Sequence, residues 1–198
     1  MFDLLGKQLR MPTGNIGKIV AKMMNKRNAK FYSEIINYLD VKDNDKIFEI
    51  GYGPGLGIKM LAELNLKCTI NGIDFSELMF KEAYERNIKF INQLKVKLSY
   101  GDFLTEDFSK QTYNKVFCLN VIYFWKDLGV AFRKISSILE SNGKFCIFMT
   151  HESEFQNKKF AKDFCKYSVV NVSTALRNAG FSSVNYVFNN GYFITAVK

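Results

Sequence analysis

Apolar side chains recur along this chain with a helical period near its beginning and in short runs later. Within Ile16–Met24 the apolar positions follow the spacing i, i+3, i+4, i+7 and i+8, with lysines elsewhere on the turn. This pattern predicts an amphipathic helix. A similar spacing within Phe31–Leu39 predicts a second helix. Residues 1–45 are therefore expected to form a helical cap on the rest of the chain.

From Lys46 onward, short apolar runs alternate with helical segments. The runs expected to form strands are Lys46–Ile50, Cys68–Ile73, Val96–Tyr100, Val116–Asn120 and Lys144–Met149. The helical segments between them lie around Gly57–Leu64, Glu77–Arg86 and Ala131–Glu140. Strands that alternate with helices are joined by right-handed crossovers, so we predict a parallel sheet with helices on both faces.

The last part of the chain departs from this alternation. A helix is expected around Asn171–Asn178, with Gly180 at its end, and two apolar runs follow, Ser183–Phe188 and Tyr192–Val197. Only three residues separate these runs, so they are predicted to form an antiparallel hairpin. The chain has 198 residues, only two prolines and no internal repeat. These features favour a single domain with an α/β core over 46–198.

The composition is that of a globular protein, with 47% apolar, 15% aromatic and 24% charged residues. No apolar stretch approaches the roughly 20 residues of a membrane-spanning helix, and the N-terminus lacks the features of a secretory signal. The cysteines Cys68, Cys118, Cys146 and Cys165 show no metal-binding or disulfide spacing. We therefore expect a cytoplasmic protein with reduced thiols and without a metal.

The formal net charge is +9, and most of it lies near the N-terminus. Residues 1–31 carry seven basic side chains against the single acidic side chain of Asp3. Such a segment can bind nucleic acid or a membrane surface. Only 5 of the 28 basic residues are arginines, whereas specific phosphate and base recognition relies on arginine. Nucleic acid is therefore an alternative partner and not the favoured one.

A glycine-rich turn, Gly51–Gly57, follows the first predicted strand and precedes a helix. Glycines in this position let the backbone approach a ligand closely and adopt angles that other residues avoid. The spacing matches neither the dinucleotide pattern GxGxxG nor the phosphate-loop pattern, in which a glycine precedes lysine and then serine or threonine. The remaining pattern is GxGxG, and it predicts a ligand site.

This pattern, preceded by Glu49 and followed by Asp74 at the end of the second strand, resembles the class I S-adenosylmethionine-dependent methyltransferases. The resemblance covers residues 46–125 and implies a Rossmann-like α/β fold. Its seven-stranded sheet would be mostly parallel, in the order 3-2-1-4-5-7-6, with an antiparallel last strand. The resemblance also implies S-adenosylmethionine as the cofactor and S-adenosylhomocysteine as its product.

The resemblance assigns roles to residues that follow the strands. Asp74 would accept hydrogen bonds from the ribose hydroxyls, Asp102 would face the exocyclic amine of adenine, and Asn120 would lie near the sulfonium. The expected cofactor-binding residues are Glu49, Gly51, Tyr52, Gly53, Gly55, Asp74, Phe75, Gly101, Asp102, Phe103, Asn120 and Val121.

The acceptor is constrained less strongly. Methyl transfer is an in-line displacement at an activated carbon, so alignment and exclusion of water supply much of the catalysis and a base is optional. His151 and Tyr123 follow strands at the edge where such sheets bind ligands and are the candidate catalytic residues, although each can instead serve in packing. Leu119–Tyr123 lacks the Asn/Asp-Pro-Pro-aromatic signature of enzymes that methylate planar amines or amides.

The favoured function is methyl transfer to an O or N atom of a small, partly apolar acceptor. In plan the chain is similar to the ubiquinone/menaquinone-type branch of small-molecule methyltransferases. One alternative is an RNA methyltransferase that uses the basic N-terminal segment. The other is an S-adenosylmethionine-binding module without catalysis.

In the family that the chain resembles, an added N-terminal segment often lies over the cofactor and closes the acceptor pocket. For the cap of this chain, two interpretations are open. As a lid it would close the acceptor pocket, with Gly14, Gly17 and Asn25–Asn28 interrupting the helical pattern as a hinge. The methionines expected to line that pocket are Met11, Met23 and Met24. As a core element it would instead bury its apolar stripe on the sheet.

Overall fold

The computed structural model describes residues 2–198, with side chains described from residue 5 onward. Met1 and the side chain of Asp3, counted in the charge above, lie outside the described part. The helices are α1 (Phe2–Arg10), α2 (Gly14–Leu39), α3 (Leu56–Ala62), α4 (Glu77–Asn92), α5 (Leu128–Ile138) and α6 (Val169–Asn178). The strands are β1 (Lys46–Ile50), β2 (Thr69–Asp74), β3 (Val96–Tyr100), β4 (Tyr113–Leu119), β5 (Leu139–Met149), β6 (Ser183–Phe188) and β7 (Tyr192–Val197).

The seven strands form one sheet in the order β3-β2-β1-β4-β5-β7-β6. β1 pairs in parallel with β2 and β4, and parallel pairing continues outward to β3 and β5. β7 is antiparallel to both β5 and β6. The predicted strand order and the terminal hairpin are confirmed. The carboxyl ends of the five parallel strands β1 to β5 therefore meet at one edge of the sheet, where ligands bind in such folds.

Helices cover both faces of the sheet and bury an apolar layer on each. On one face, Ile35 and Leu39 of α2 pack with residues of α3 and α4. On the other face, Phe132 of α5 and Leu176 of α6 are fully buried. The C-terminal half of α2 is thus part of the core, which agrees with the interpretation of the cap as a core element.

The N-terminal region differs from the prediction in two respects. Phe2–Arg10 forms a helix that the apolar spacing did not indicate, and α2 is one unbroken helix of 26 residues. The expected hinge at Asn25–Asn28 is wrong, because Asn28 is a buried part of that helix. Gly17 does not interrupt the helix either: a Cβ there would lie 2.7 Å from Leu78 of α4, so glycine permits close packing of the two helices.

The connection between β5 and α6 folds back toward the N-terminal helices. It contains two short 3-10 turns, Glu152–Phe155 and Lys159–Ala161. α1 packs on the second turn, where a side chain at Gly6 would collide with the carbonyl oxygen of Phe160. This contact brings α1, α2 and the β5–α6 connection together around the edge of the sheet.

None of the helices within residues 2–198 combines the length and hydropathy needed to cross a bilayer. All four cysteines are free thiols; Cys165 is half-buried and the other three are buried.

Candidate active site

A cleft of about 380 Å³ lies at the carboxyl edge of the sheet. Nine of the twelve expected cofactor-binding residues line it: Gly51, Gly53, Asp74, Phe75, Gly101, Asp102, Phe103, Asn120 and Val121. They come from the turns after β1, β2, β3 and β4, which the parallel pairing brings side by side. The sequence therefore predicted the part of the wall that these turns form, whereas Leu9, Arg10, Asn28 and Val130, which also line the cleft, were not predicted.

The glycine turn and the acid after β2 are held together by a hydrogen bond. The Gly53 amide donates to Asp74 Oδ2 at 2.8 Å, and the Ser76 amide donates to Asp74 Oδ1 at 2.8 Å. Gly51 and Gly53 have φ values of 72° and 52°, in the left-handed region that favours glycine. Burial raises the pKa of Asp74 to about 6, although both amide hydrogen bonds favour the carboxylate.

This arrangement fits the ribose of S-adenosylmethionine. Each oxygen of Asp74 accepts one backbone hydrogen bond, and a carboxylate oxygen has room for a further donor. A Cβ at Gly53 would meet only Met24 Cε, 3.8 Å away, so a side chain there would project into the cleft. The residues therefore leave space for the cofactor and offer two acceptors to its paired hydroxyls.

The turn after β3 is fixed by a lysine that the sequence analysis missed. Asp102 is exposed on the cleft, and its Oδ1 accepts a hydrogen bond of 2.9 Å from the Leu104 amide. Lys134 of α5 donates to the carbonyls of Leu104 and Glu106 at 3.0 and 2.5 Å. Its ammonium also lies 5.3 Å from the ring centroid of Phe103, within cation–π range. No local sequence signal marks a residue 32 positions after Asp102.

Glu49 does not reach the cleft wall. Its side chain is fully buried beneath α2, and its Oε1 accepts a hydrogen bond of 2.9 Å from the Tyr32 hydroxyl. Burial raises the pKa of Glu49 to about 8, and the hydrogen bond from Tyr32 offsets part of that rise. The expectation that Glu49 binds the cofactor is not supported by this position, in which it joins α2 to the central strand.

Tyr52 and Gly55 are also turned away from the cleft. The Tyr52 side chain is fully buried, and its hydroxyl donates to the Ser99 carbonyl at 2.8 Å. Gly55 precedes α3 with a φ of 75°, and a Cβ there would lie 2.7 Å from both Ala83 and Asn87. Both residues support the glycine turn from inside the protein, and neither lines the cleft.

Asn120, after β4, is locked in one orientation. Its φ of 59° is in the left-handed region, and its Oδ1 faces three donors: the Thr150 amide at 3.2 Å, the Thr150 hydroxyl at 3.0 Å and the Tyr123 hydroxyl at 3.2 Å. A backbone amide only donates, so Oδ1 and not Nδ2 must face Thr150. Nδ2 consequently points toward Asn28 Oδ1, 3.5 Å away on α2.

A second cavity of about 460 Å³ adjoins the cleft. The residues that line both are Leu9, Met24, Asn28, Asn120 and Phe124. The rest of its wall comes from α1, α2, the β5–α6 connection and Tyr123, which follows β4. Met23 lies on it as predicted, whereas Met11 does not. Sequence reasoning missed the contribution of the β5–α6 connection, because its aromatic residues follow no regular period.

The two candidate catalytic residues differ in placement. Tyr123 lines the second cavity, but its hydroxyl is within hydrogen-bonding distance of Asn120 Oδ1 and the Thr150 carbonyl, and burial raises the pKa of this phenol well above its usual range. His151 lies outside both cavity walls. Its Nδ1 is 2.7 Å from the Ser153 hydroxyl, and its ring packs beside Tyr192.

Comparison with known proteins gives matches to methyltransferases. Residues 47–143 match the family model described as a methyltransferase domain. The uncharacterized methyltransferase YdaC of Bacillus subtilis is 26% identical over 172 residues, which cover 87% of this chain and 91% of that protein. Ribosomal RNA small subunit methyltransferase A of Borrelia garinii is 31% identical over 86% of this chain and 58% of that protein.

A solved structure supports the same assignment of fold. Phosphoethanolamine N-methyltransferase 2 of Haemonchus contortus, in complex with S-adenosyl-L-methionine, superimposes with a TM-score of 0.79 at 16% identity. The match covers 100% of this chain and 60% of that one. The sheet order, the cleft and these matches together identify the chain as a class I S-adenosylmethionine-dependent methyltransferase.

Proposed function

We propose that this enzyme transfers the methyl group to an O or N atom of a small, partly apolar acceptor bound in the second cavity. The observation that carries the proposal is the shared wall: Asn28, Asn120, Met24 and Phe124 line both the cofactor cleft and the second cavity. A volume of about 460 Å³ lies within the range of small-molecule sites. The two compartments suit a cofactor and an acceptor that meet at their junction.

Within the cleft, the proposed contacts follow from the chemistry of each side chain. Asp74 accepts the two ribose hydroxyls, and Asp102 accepts the exocyclic amine of adenine. The turn at Gly51 and Gly53 lets the backbone approach the cofactor, and Asn120 and Val121 lie beside its sulfur end. When bound, S-adenosylmethionine supplies a methyl carbon activated by a positively charged sulfur.

The chain's own part in the transfer is alignment and exclusion of water. Leu9, Met24 and Phe124 make the junction apolar, which keeps the reacting atoms dry. Tyr123 acts as a positioning residue in this proposal, because a buried phenol that is bonded to Asn120 is a poor base. The earlier hypothesis of a base at His151 has no support from its position outside both walls.

An RNA acceptor is the second candidate. The similarity to a protein named as a ribosomal RNA methyltransferase and the net charge of +9 favour it. RNA binding driven by the basic N-terminal segment would weaken steeply with rising salt. Binding of a structured RNA that is undetectable, or independent of salt between 50 and 300 mM, would rule out this alternative.

Three more specific assignments stay predictions. The first is membership of the ubiquinone/menaquinone-type branch, because the relatives described above are named for other functions or for none. A cytoplasmic location and a single domain over residues 1–198 are the others. A peripheral membrane contact through the basic α1–α2 region is a further prediction, and a vesicle-binding measurement would test it.

Calorimetry with S-adenosylmethionine and S-adenosylhomocysteine tests the cofactor part of the proposal directly. We expect micromolar binding of at least one of them, and binding of neither at millimolar concentration would reject the proposal. Transfer of a labelled methyl group to members of a metabolite panel then tests the reaction. Product formation with any small acceptor excludes the module without catalysis.

A further inference from the structure

The wall of the second cavity includes exposed charged side chains. Arg27 of α2 and Lys158 of the β5–α6 connection line this cavity but not the cofactor cleft. Both side chains are exposed, and no acidic side chain among the described residues forms an ion pair with either. The junction with the cleft has apolar and amide side chains instead.

One acidic residue, Glu154, lies on the same wall. The charged groups that line the cavity are therefore two cations and one anion, which leaves the wall with a net positive charge. The positive charge of Lys158 and the guanidinium fork of Arg27 suit an anionic partner, since charge-assisted hydrogen bonds to a carboxylate or phosphate are the strong ones.

Aromatic side chains form part of the wall of the second cavity. Phe155 and Phe164 pack edge to face with their centroids 5.6 Å apart, and Phe164 stacks parallel to Tyr123 at 6.2 Å. Phe160 packs against the other edge of Phe164. Rings arranged in this way favour a planar apolar body in the cavity, because aromatic groups gain from stacked and edge-to-face contacts beyond the area they bury.

The junction presents a hydrogen-bond donor. Asn120 Oδ1 faces Thr150 and Tyr123, which leaves Nδ2 directed toward Asn28, the residue that lines both cavities together with Asn120. The contact of Nδ2 with Asn28 is 3.5 Å long, so an acceptor lone pair can compete for it. A lone pair held there lies beside the sulfur end of the cofactor in the proposed function.

From these features we infer that the acceptor is an apolar or aromatic molecule with an anionic group, which Arg27 and Lys158 bind in the second cavity while its nucleophilic atom lies beside Asn120. This inference rests on the proposed function and adds the chemical class of the acceptor. A carboxylate and a phosphate ester share the required chemistry.

The test uses the full chain saturated with S-adenosylhomocysteine and a library of small aromatic compounds. Each aromatic body is present in four forms: carboxylate, phosphate, carboxamide and aminomethyl. Calorimetry is expected to show that anionic forms bind at least about tenfold more tightly than the matched carboxamides, with cationic forms weaker still. The carboxylate and phosphate arms show which anion the site prefers.

Three variants make the inference specific to the cavity. Arg27→Gln and Lys158→Gln should each weaken the best anionic binder at least about fivefold, while Glu154→Gln should strengthen it. Lys22→Gln is the matched control, because Lys22 is exposed on the same helix and lies outside both walls. The control should leave the affinity unchanged.

The outcomes separate this inference from the proposed function. Equal binding of anionic and neutral forms, absence of any anionic binder at millimolar concentration, or anion binding unaffected by Arg27→Gln would each overturn the inference. In all three cases S-adenosylhomocysteine still binds and the proposed function stands. Loss of S-adenosylhomocysteine binding by the unaltered protein would instead reject the proposed function.

Discussion

Asp74 Oδ2 accepts a hydrogen bond of 2.8 Å from the backbone amide of Gly53. The bond connects the end of β2 to the turn after β1, which are separated by 21 positions in the chain. The acid that is proposed to hold the ribose therefore also fixes the turn past which the cofactor must lie. Binding of the ribose and the geometry of the glycine turn therefore both depend on the side chain of Asp74.

The first prediction concerns the affinity for the cofactor. Asp74→Ala should weaken S-adenosylmethionine at least about tenfold, because two charge-assisted hydrogen bonds of roughly 1.5–3 kcal/mol each are lost. The melting temperature of the apo protein should fall by only about 5 °C or less, since the freed amides border a cleft that water enters. Calorimetry and thermal denaturation measure the two effects. Unchanged affinity would mean that the ribose lies elsewhere.

The same carboxylate predicts a pH dependence. Its pKa is raised to about 6 in the apo protein, and the ribose hydroxyls prefer the charged form. Protonation below pH 6 therefore competes with the cofactor, and affinity should fall by about tenfold per pH unit below that value. Asp74→Asn should bind weakly and with little variation between pH 5 and 7. A flat profile for the unaltered protein would contradict the prediction.

Glu49 predicts how stability varies with pH. Its pKa is raised to about 8 in the folded state, so folding favours the protonated form, and stability should decline as pH rises from about 4.5 to 8. Glu49→Gln keeps a neutral side chain and should remove part of that decline. Asp74, with a pKa of about 6, titrates mostly below pH 6.5, so melting temperatures between pH 6.5 and 8.5 isolate the effect of Glu49. Parallel curves for the two proteins would show that Glu49 is already charged in the fold.

Lys134 predicts an effect on the cofactor without direct contact. Lys134→Met removes the donor to the Leu104 and Glu106 carbonyls and should loosen the turn that carries Asp102. We expect severalfold weaker S-adenosylhomocysteine binding, measured by calorimetry. Lys110→Met is the matched control, because Lys110 is exposed in the β3–β4 connection that also carries Asp102. Equal affinities of the two variants would show that the turn needs no support from α5.

Tyr123 and His151 give opposite predictions. Tyr123→Phe removes a hydrogen bond to Asn120 and should lower kcat about tenfold, with S-adenosylhomocysteine affinity within twofold of the unaltered protein. His151→Gln should leave both quantities unchanged, because the ring lies outside both cavity walls. A large fall in kcat for His151→Gln would restore the histidine as the candidate base.

Deletion of residues 1–28 separates the two contributions of the N-terminal helices, which are to pack on the core and to line the two cavities. The core contacts of α2 come from its C-terminal half, including Ile35 and Leu39, so the shortened protein should stay folded. It loses Leu9, Met24 and Asn28 from the cavity walls and should bind the cofactor more weakly and show no transfer. Full turnover by a folded deletion protein would refute this division.

The sheet and the strand-end turns that line the cleft could be predicted from the sequence. Buried parallel strands appear as short apolar runs, and the GxGxG turn with Asp74 and Asp102 marks successive strand ends. Strand order came from the family resemblance and not from periodicity. Glu49 shows the limit: alternate residues of a strand point to opposite faces, and β1 is buried on both, so the pattern did not reveal that Glu49 faces Tyr32.

The parts that could not be predicted depend on contacts between distant segments. Asn28 is a weak helix former, and its place inside α2 is explained only by burial against Asn120. Gly17 looked like a break because the position of Leu78 beside it is not visible in the sequence. Lys134 is part of the site because its ammonium group contacts the turn after β3. No spacing in the sequence indicates that contact.

The unbroken length of α2 has a mechanical consequence. At 26 residues the helix is about 39 Å long, with its C-terminal half fixed in the core and its N-terminal half over the cavities. A continuous helix that is fixed in the core at one end does not fold back at its middle, so α2 keeps its position over the cavities. Any widening of the second cavity then comes from movement of α1 and the β5–α6 connection, the two segments that meet at Gly6 and Phe160. The size of the acceptor site would therefore be set by these two segments, with α2 as its constant wall.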